Sequence, residues 1–459
     1  MGPGIERAHT AFARWKIFDV GLVSRVAEAE GTAEALKKII LLPLIILLLP
    51  IHVRELWTAA DFKVAPAPAE AQQVALQALE QYKETLIARA QSLDDQGVLI
   101  ESLDGRLTFA SHNADVTFNP ASVMKLATSL AALAKLKPDY RYRTNILADG
   151  RIDSHARKLE GDLVVEGNAD PMFSAEDAQE VAGELSRLGI SRVTGALRIC
   201  GPFYYFATGY HSNLSRETSA SKLRAAFERA GIKVDGQTVF GDKSGTLLVS
   251  HYSEELIHLL FYQNAHSSNA VAEVIGESVG GPGGVQEFLI KNLGLPESEI
   301  YVGRTSGLDF NRITPRATLK VLRALIKVLS GYSLKPEDLM PVAGVDSGTL
   351  RARFSRDDVR GSVIAKTGTL VSLEKGVSTL VGIAYTRSRG PLLFAVFNSA
   401  GNVNAYRRLQ DEFVVDVITE EGGPVPVTRT EDALADYTRH TVVQVLYKPS
   451  NQPRESPSD

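Results

Sequence analysis

Hydrophobic positions along this chain repeat with two periods, and the switches between them mark out its elements. Between Pro120 and Pro138, Leu126, Leu130 and Leu133 recur at i, i+4 and i+7, which predicts a helix. Residues 71–93 predict an amphipathic helix, with Leu79, Leu86 and Leu93 at heptad spacing. Residues 98–102 and 106–110 flank Asp104-Gly105 and read as a hairpin. A second hairpin, 376–385 and 391–397, turns at Ser388-Arg389-Gly390. With the β-like run 363–366 these predict an α/β architecture, a mainly antiparallel sheet flanked by helices. Strand-like 162–166 and 193–199 and helical 175–188 fall together in the stretch 145–245.

Composition narrows the function classes. A chain of 459 residues is long enough for two or three domains, and a net charge of −4 without a basic stripe excludes a nucleic-acid binder. One cysteine, Cys200, excludes an intrachain disulfide framework, and its strand-like context suits a buried thiol. The nine histidines are scattered with no zinc-ligand spacing, so no metal or other cofactor is expected.

The candidate chemistry lies in three short motifs. In Ser122-Val123-Met124-Lys125 the helical spacing lets Lys125 touch Ser122, a hydroxyl that needs a base before it can attack. Ser122 falls at the positive end of its helix, and a desolvated Lys125 would have its pKa lowered toward that of a base. Ser267-Ser268-Asn269 precedes a helical run at 270–275, and reads either as a proton relay with an amide donor or as an N-cap. Lys366-Thr367-Gly368 ends a strand, offering a cation, a hydroxyl and a place where a ligand backbone can approach closely. Near-copies occur at Ser219-Ala220-Ser221-Lys222, Ser111-His112-Asn113 and Lys243-Ser244-Gly245, so no motif identifies a site alone. The three in order do.

Taken with their flanks, these motifs resemble the D-alanyl-D-alanine carboxypeptidases of the type-C low-molecular-mass penicillin-binding proteins, over residues 97–398. The matching flanks are 118–126, 159–163 with 167–171, Thr305-Ser306-Gly307-Leu308 with Thr314-Pro315-Arg316, and 343–351. The resemblance implies a penicillin-binding/β-lactamase-like transpeptidase fold. It makes Ser122 the nucleophile, Lys125 its base and Ser267 a proton relay. Asn269 would position the substrate, Lys366 and Thr367 would bind its terminal carboxylate, and Gly368 would let it approach. The N–H groups of Ser122 and Thr369 would form the oxyanion hole. The implied partners are peptidoglycan stem peptides as substrate and β-lactams as covalent inhibitors, with endopeptidase action on cross-links as an extension. Two positions depart from the pattern: Ala265 stands where the family has a lysine, and Arg304-Thr305-Ser306-Gly307 replaces Asp-Gly-Ser-Gly. These departures motivate an alternative, a penicillin-acylated sensor with little turnover; a β-lactamase or esterase is a third.

The remaining expectations concern organisation. Residues 39–51 are almost wholly apolar after Lys37-Lys38, short for a membrane span and interrupted by Pro43 and Pro50. They predict a signal peptide or membrane anchor within 1–60 and an extracytoplasmic location, periplasm or cell envelope. The catalytic domain is expected at 70–144 and 246–420, interrupted by an inserted segment at 145–245, with a polar, disordered tail at 421–459.

Overall fold

A computed structural model describes residues 72–73, 75–207, 214–428 and 440–447. The apolar stretch 39–51 and the last residues of the expected tail lie outside the described residues. In chain order the principal elements are α1 (Gln77–Ala88), β1 (Gln96–Ser102), β2 (Leu107–His112), α2 (Met124–Leu136), β3 (Arg143–Asp153) and β4 (Lys158–Glu166). Next come α3 (Ala175–Arg187), β5 (Leu197–Cys200), α4 (Arg216–Arg229), β6 (Thr246–Tyr252), α5 (Leu256–Ala265), α6 (Asn269–Ser278) and α7 (Gly281–Leu293). The last are α8 (Pro315–Gly331), β7 (Val363–Leu370), β8 (Val377–Thr386), β9 (Gly390–Asn398) and α9 (Val403–Glu420).

One sheet runs β2-β1-β9-β8-β7, antiparallel throughout, with Gln72–Gln73 added parallel to β2. Its strands come from both ends of the chain, and β9 is buried from Leu392 to Asn398 because helices cover both faces. On one side α1 and α9 bring Leu79, Tyr82, Leu86, Phe413 and Val417 against the sheet. On the other, α8 and α2 pack together. The helix read from Leu126, Leu130 and Leu133 is α2, and it is buried almost all round, as expected of a helix at the centre of a layer. β7 lies at the edge of the sheet, so its outer N–H and C=O groups are open to a ligand over part of their length.

A second sheet has β6, β3 and β4 at its centre, with β5 parallel to β4 and shorter strands beyond. It owns a separate core of Leu163, Phe173, Val181, Leu185, Leu223 and Phe227, filled by α3 and α4. The sequence predicts a single strand at 193–199. The structure breaks it into Arg192–Val193 and β5, because Gly195 lies tight against the backbone of Gly161 and the Asp162 carboxylate takes the Ala196 N–H at 2.7 Å. Cys200 is buried, as expected of its strand position.

Two boundaries differ for tertiary reasons. The helix predicted over 71–93 is shorter: its first N–H groups, on Gln77 and Ala78, are capped by the Glu420 carboxylate from the far end of the chain. The region beyond 420 is not uniformly a loose tail. Val427 N–H bonds to the Gly361 carbonyl, and Val442–Val445 forms a strand that covers the edge of β6. Its four residues pair antiparallel with residues 249–252 of β6, whose open edge would otherwise expose unpaired backbone groups.

Candidate active site

The nucleophile motif opens with a constrained turn. Ser122 sits in a 3-10 turn, Ala121–Val123, leading straight into α2, with Ala121 at a φ of 48°. Asn119 holds this turn from beneath: its Oδ1 accepts the Ala121 N–H at 3.0 Å, and its Nδ2 donates to the Asp309 carbonyl and the Glu374 carboxylate. Thr379 on β8 donates to the Pro120 carbonyl at 2.8 Å, tying the turn to the sheet. Two glycines permit the approach. A Cβ at Gly307, where φ is +80°, would stand 1.9 Å from the Ala121 carbonyl oxygen; one at Gly368 would stand 2.6 Å from the Pro120 carbonyl oxygen. β7 meets the turn there because 368 has no side chain.

Lys125, one turn in, is fully buried. Its Nζ lies 2.9 Å from Ser122 Oγ, 2.7 Å from Asn269 Oδ1 and 2.6 Å from the Ser306 carbonyl oxygen. Burial pushes this amine well below the ordinary lysine range; the Lys366 charge pushes the same way, and Glu273 opposes both. Two of the three neighbours are acceptors only. A neutral amine, with two N–H bonds and one lone pair, satisfies all three when Asn269 and Ser306 accept and the Ser122 hydroxyl donates. That is the arrangement a base requires.

The second motif separates into distinct roles. Ser268 is the N-cap of α6, accepting the Val271 N–H, so the N-cap reading belongs to Ser268 and not to Ser267. Ser267 bridges α5 and α6 at a φ of 54°, and its Oγ accepts from Lys366 Nζ at 2.9 Å. Asn269 opens α6 and faces Lys125. Lys366 is fully buried on β7 and also donates to the Thr367 carbonyl at 2.6 Å; burial lowers its pKa to about 7. Thr367 Oγ1 donates to Thr349 Oγ1 at 2.9 Å, and Thr369 Oγ1 accepts from Arg407 at the same distance. These contacts bring Ser122, Lys125 and Asn269 together, tie Ser267 to Lys366 and seat Gly368 against the turn before Ser122; Thr367 and Thr369 flank Gly368 on β7.

Sequence reasoning gave no role to several residues that complete this arrangement. Glu273, one turn beyond Asn269, accepts from Thr305 Oγ1 and from the N–H and Oγ of Ser306. It thereby presents the Ser306 carbonyl to Lys125. The i, i+4 spacing to Asn269 was the available signal. Thr349 reaches Thr367 because its N–H is held by the Ala265 carbonyl at 2.8 Å. Ala265 itself is fully buried, and Arg304 points outward into an ion pair with Asp309, so both departures sit at the margin of the contacts around Ser122. His266 stacks near Tyr262, with centroids 4.6 Å apart, and burial lowers its pKa.

The near-copies of the motifs have structural employment. Ser219 is buried in α4 and accepts the Tyr205 N–H. Asn113 and His112 hold the Leu93 carbonyl, and Lys243 pairs with Glu166. Among the described residues, Asp177, Glu180 and His251 bring ligand-type atoms within 4.8 Å of one another, but on the second sheet and not beside Ser122.

Known proteins share this architecture. Carboxypeptidase DacB of Mycolicibacterium smegmatis is 27% identical over 388 residues, 69% of this chain and 80% of its own. A D-alanyl-D-alanine carboxypeptidase of Actinomadura sp. is 28% identical over 226 residues, 44% of this chain and 40% of its own. Among solved structures, a predatory peptidoglycan endopeptidase from Bdellovibrio bacteriovorus superposes with a TM-score of 0.62 at 22% identity, over 73% of this chain and 95% of its own. Penicillin binding protein 4 of Haemophilus influenzae gives 0.59 at 19% identity, over 71% and 96%. These two share the fold. The D-Ala-D-Ala carboxypeptidase 3 (S13) family matches residues 80–202 and 210–419, most of the described chain, and this protein belongs to that family.

Proposed function

We propose that this chain hydrolyses the terminal D-Ala–D-Ala bond of peptidoglycan stem peptides through an acyl-enzyme on Ser122. The observation that carries the reading is Lys125 Nζ, buried, shifted toward neutrality and 2.9 Å from Ser122 Oγ. Lys125 takes the hydroxyl proton as Oγ attacks the penultimate carbonyl carbon. The oxyanion is received by the N–H groups of Ser122 and Thr369. Strand parity supports the second: Ala365 N–H bonds outward to the Pro341 carbonyl, so the N–H two and four residues on faces the same open edge. Ser267, hydrogen-bonded to Lys366, relays the proton that Lys125 took from Ser122 to the departing D-alanine amine. The C–N bond breaks as that proton reaches the amine; water then attacks the ester, and Lys125 takes a proton from the water and hands it to Ser122 Oγ as the shortened peptide leaves. Asn269 donates to the substrate amide, Lys366 and Thr367 face its carboxylate, and Gly368 leaves room for its backbone.

β-Lactams fit the same site as acylating inhibitors. The Bdellovibrio endopeptidase has been captured acylated by penicillin G, which supports this reading. Cleavage of cross-links as an endopeptidase would use the same acyl-enzyme with a larger leaving group. The two separate cores support a catalytic domain at 70–144 and 246–420 interrupted by the segment 145–245. The substrate places the protein outside the cytoplasm, with 39–51 as export signal or anchor; among the described residues no helix is long and apolar enough to cross a membrane.

Incubating the purified protein with a pentapeptide muropeptide should release D-alanine, and Ser122→Ala should lower the rate by about 10⁴-fold or more. Release that survives Ser122→Ala removes the assignment.

A further inference from the structure

A carboxylate ligand needs a positive charge that is present at working pH, and Lys366 can supply only part of it. Its ammonium is wholly buried and already committed to Ser267 Oγ and the Thr367 carbonyl. Its lowered pKa, about 7, leaves it only partly charged near neutrality. A second cation stands at the same strand. Arg407, in the second turn of α9, is exposed, and its guanidinium donates to Thr369 Oγ1 at 2.9 Å and to Asn404 Oδ1 at 3.3 Å. Both acceptors are neutral, so among the described residues this charge has no carboxylate partner.

We propose that Arg407 is a specificity-determining residue that binds the substrate's C-terminal carboxylate together with Thr367 and Thr369. Thr367 and Thr369 lie on one face of β7 about 7 Å apart, the i, i+2 spacing of a strand. A carboxylate between them takes one hydrogen bond on each oxygen, from the Thr369 hydroxyl and from a Thr367 hydroxyl turned away from Thr349, which then donates to it in return. Thr349, already on Thr367 Oγ1, backs the far hydroxyl, while Arg407 closes the near side. Arginine is always charged and presents a planar fork suited to two carboxylate oxygens. The site then favours a substrate whose leaving amine carries a free α-carboxylate, as the terminal D-alanine does. This inference rests on the proposed acyl-transfer reading of the same cleft.

The test compares an acyl-L-Lys–D-Ala–D-Ala tripeptide with its C-terminal amide on the full chain and on Arg407→Ala. The variant should lose about 10- to 100-fold in kcat/KM for the free acid, the range of a hydrogen bond to a charged group. Its activity on the amide should stay within about threefold, and Arg407→Lys should recover part of the loss. The acid-to-amide ratio separates recognition from chemistry. In the parent it should hold steady from pH 6 to 8.5; in Arg407→Ala it should fall as Lys366 loses its proton. Equal losses on both substrates, or no loss on either, overturn the role of Arg407. The acyl-transfer reading fails separately, if the parent protein is not acylated at Ser122 by either substrate or by penicillin.

Discussion

Among the described residues, two places bury cationic-type side chains completely, and they treat them in opposite ways. Between α2 and β7, the amines of Lys125 and Lys366 are sealed among hydroxyl, amide and carbonyl oxygens, with no carboxylate in ion-pair contact among the described residues. On the second sheet His251 is equally buried, but its Nε2 stands 3.0 Å from Asp177 Oδ1 and its Nδ1 3.9 Å from Asp170 Oδ2. Asp177 also accepts the Ser174 N–H in the capping box of α3, so the pair fastens that helix to β6. Burial against neutral acceptors drives an amine toward its free-base form. Burial against carboxylates turns a ring into a structural bolt. The first arrangement prepares a reaction; the second holds a core.

The sharpest way to break this contrast is to remove one member of each. Lys125→Met should cut acylation of Ser122 by penicillin about 10³-fold or more, read by mass spectrometry over time. Its folding stability should be equal or higher, since an apolar side chain replaces an uncompensated buried amine. His251→Ala should do the reverse, lowering stability by roughly 3 kcal/mol in denaturant unfolding, because it removes a fully buried ring and its bond to Asp177 from the core. Acylation per folded molecule should change by less than about threefold. If Lys125→Met unfolds the protein, or His251→Ala silences it, the division between reactive and structural burial is wrong.

The same contrast explains what was legible in the sequence. Ser122 and Lys125 were readable together because one helical turn joins them, and the periodicity of Leu126, Leu130 and Leu133 located that helix. Lys366 could be read as a strand-end cation, but its contact with Ser267 is made across 99 positions and comes only with the fold. The difference between Ser267 and Ser268 was also hidden: both suit an N-cap, and the left-handed backbone at Ser267 decides which one faces the lysine. Glu273 offered only its i, i+4 spacing to Asn269, and Thr349 and Arg407 act through partners distant in sequence. The start of α1 and the strand Val442–Val445 were missed for the same reason, their partners being Glu420 and β6.

Lys366 allows a finer test through pH. Its folded pKa of about 7 lies below the ordinary lysine value of 10.5, so between these values the unfolded chain binds the proton that the folded chain has lost. Stability must therefore rise with pH across that window, and the contribution is lost as pH falls through 7. In Lys366→Met this contribution to the slope should vanish, and the variant should be more stable near neutral pH by a difference on the order of a few kcal/mol. Unfolding curves taken between pH 6.5 and 9.5 measure it. Parallel profiles for the two proteins would mean that the folded amine keeps an ordinary pKa, and the contrast with His251 would then lose one of its two lysines.

The smallest expected effect lies at Glu273, where the two kinds of burial meet. Its carboxylate does not touch Lys125, yet it collects three donors from Thr305 and Ser306 and so fixes the carbonyl that Lys125 Nζ contacts. Its negative charge also holds the Lys125 pKa up against burial. Glu273→Gln keeps one acceptor oxygen of two and removes the charge. Acylation should slow by about 3- to 10-fold as the Ser306 carbonyl loosens. The acid limb of the rate profile should move to lower pH, because Lys125 without that charge gives up its proton more readily. Glu273→Asp should keep the limb nearer its original place while still slowing the reaction through its shorter reach. A limb that stays in place in Glu273→Gln would show that the carboxylate acts on the loop alone, and that Lys125 owes its state wholly to burial and to Lys366.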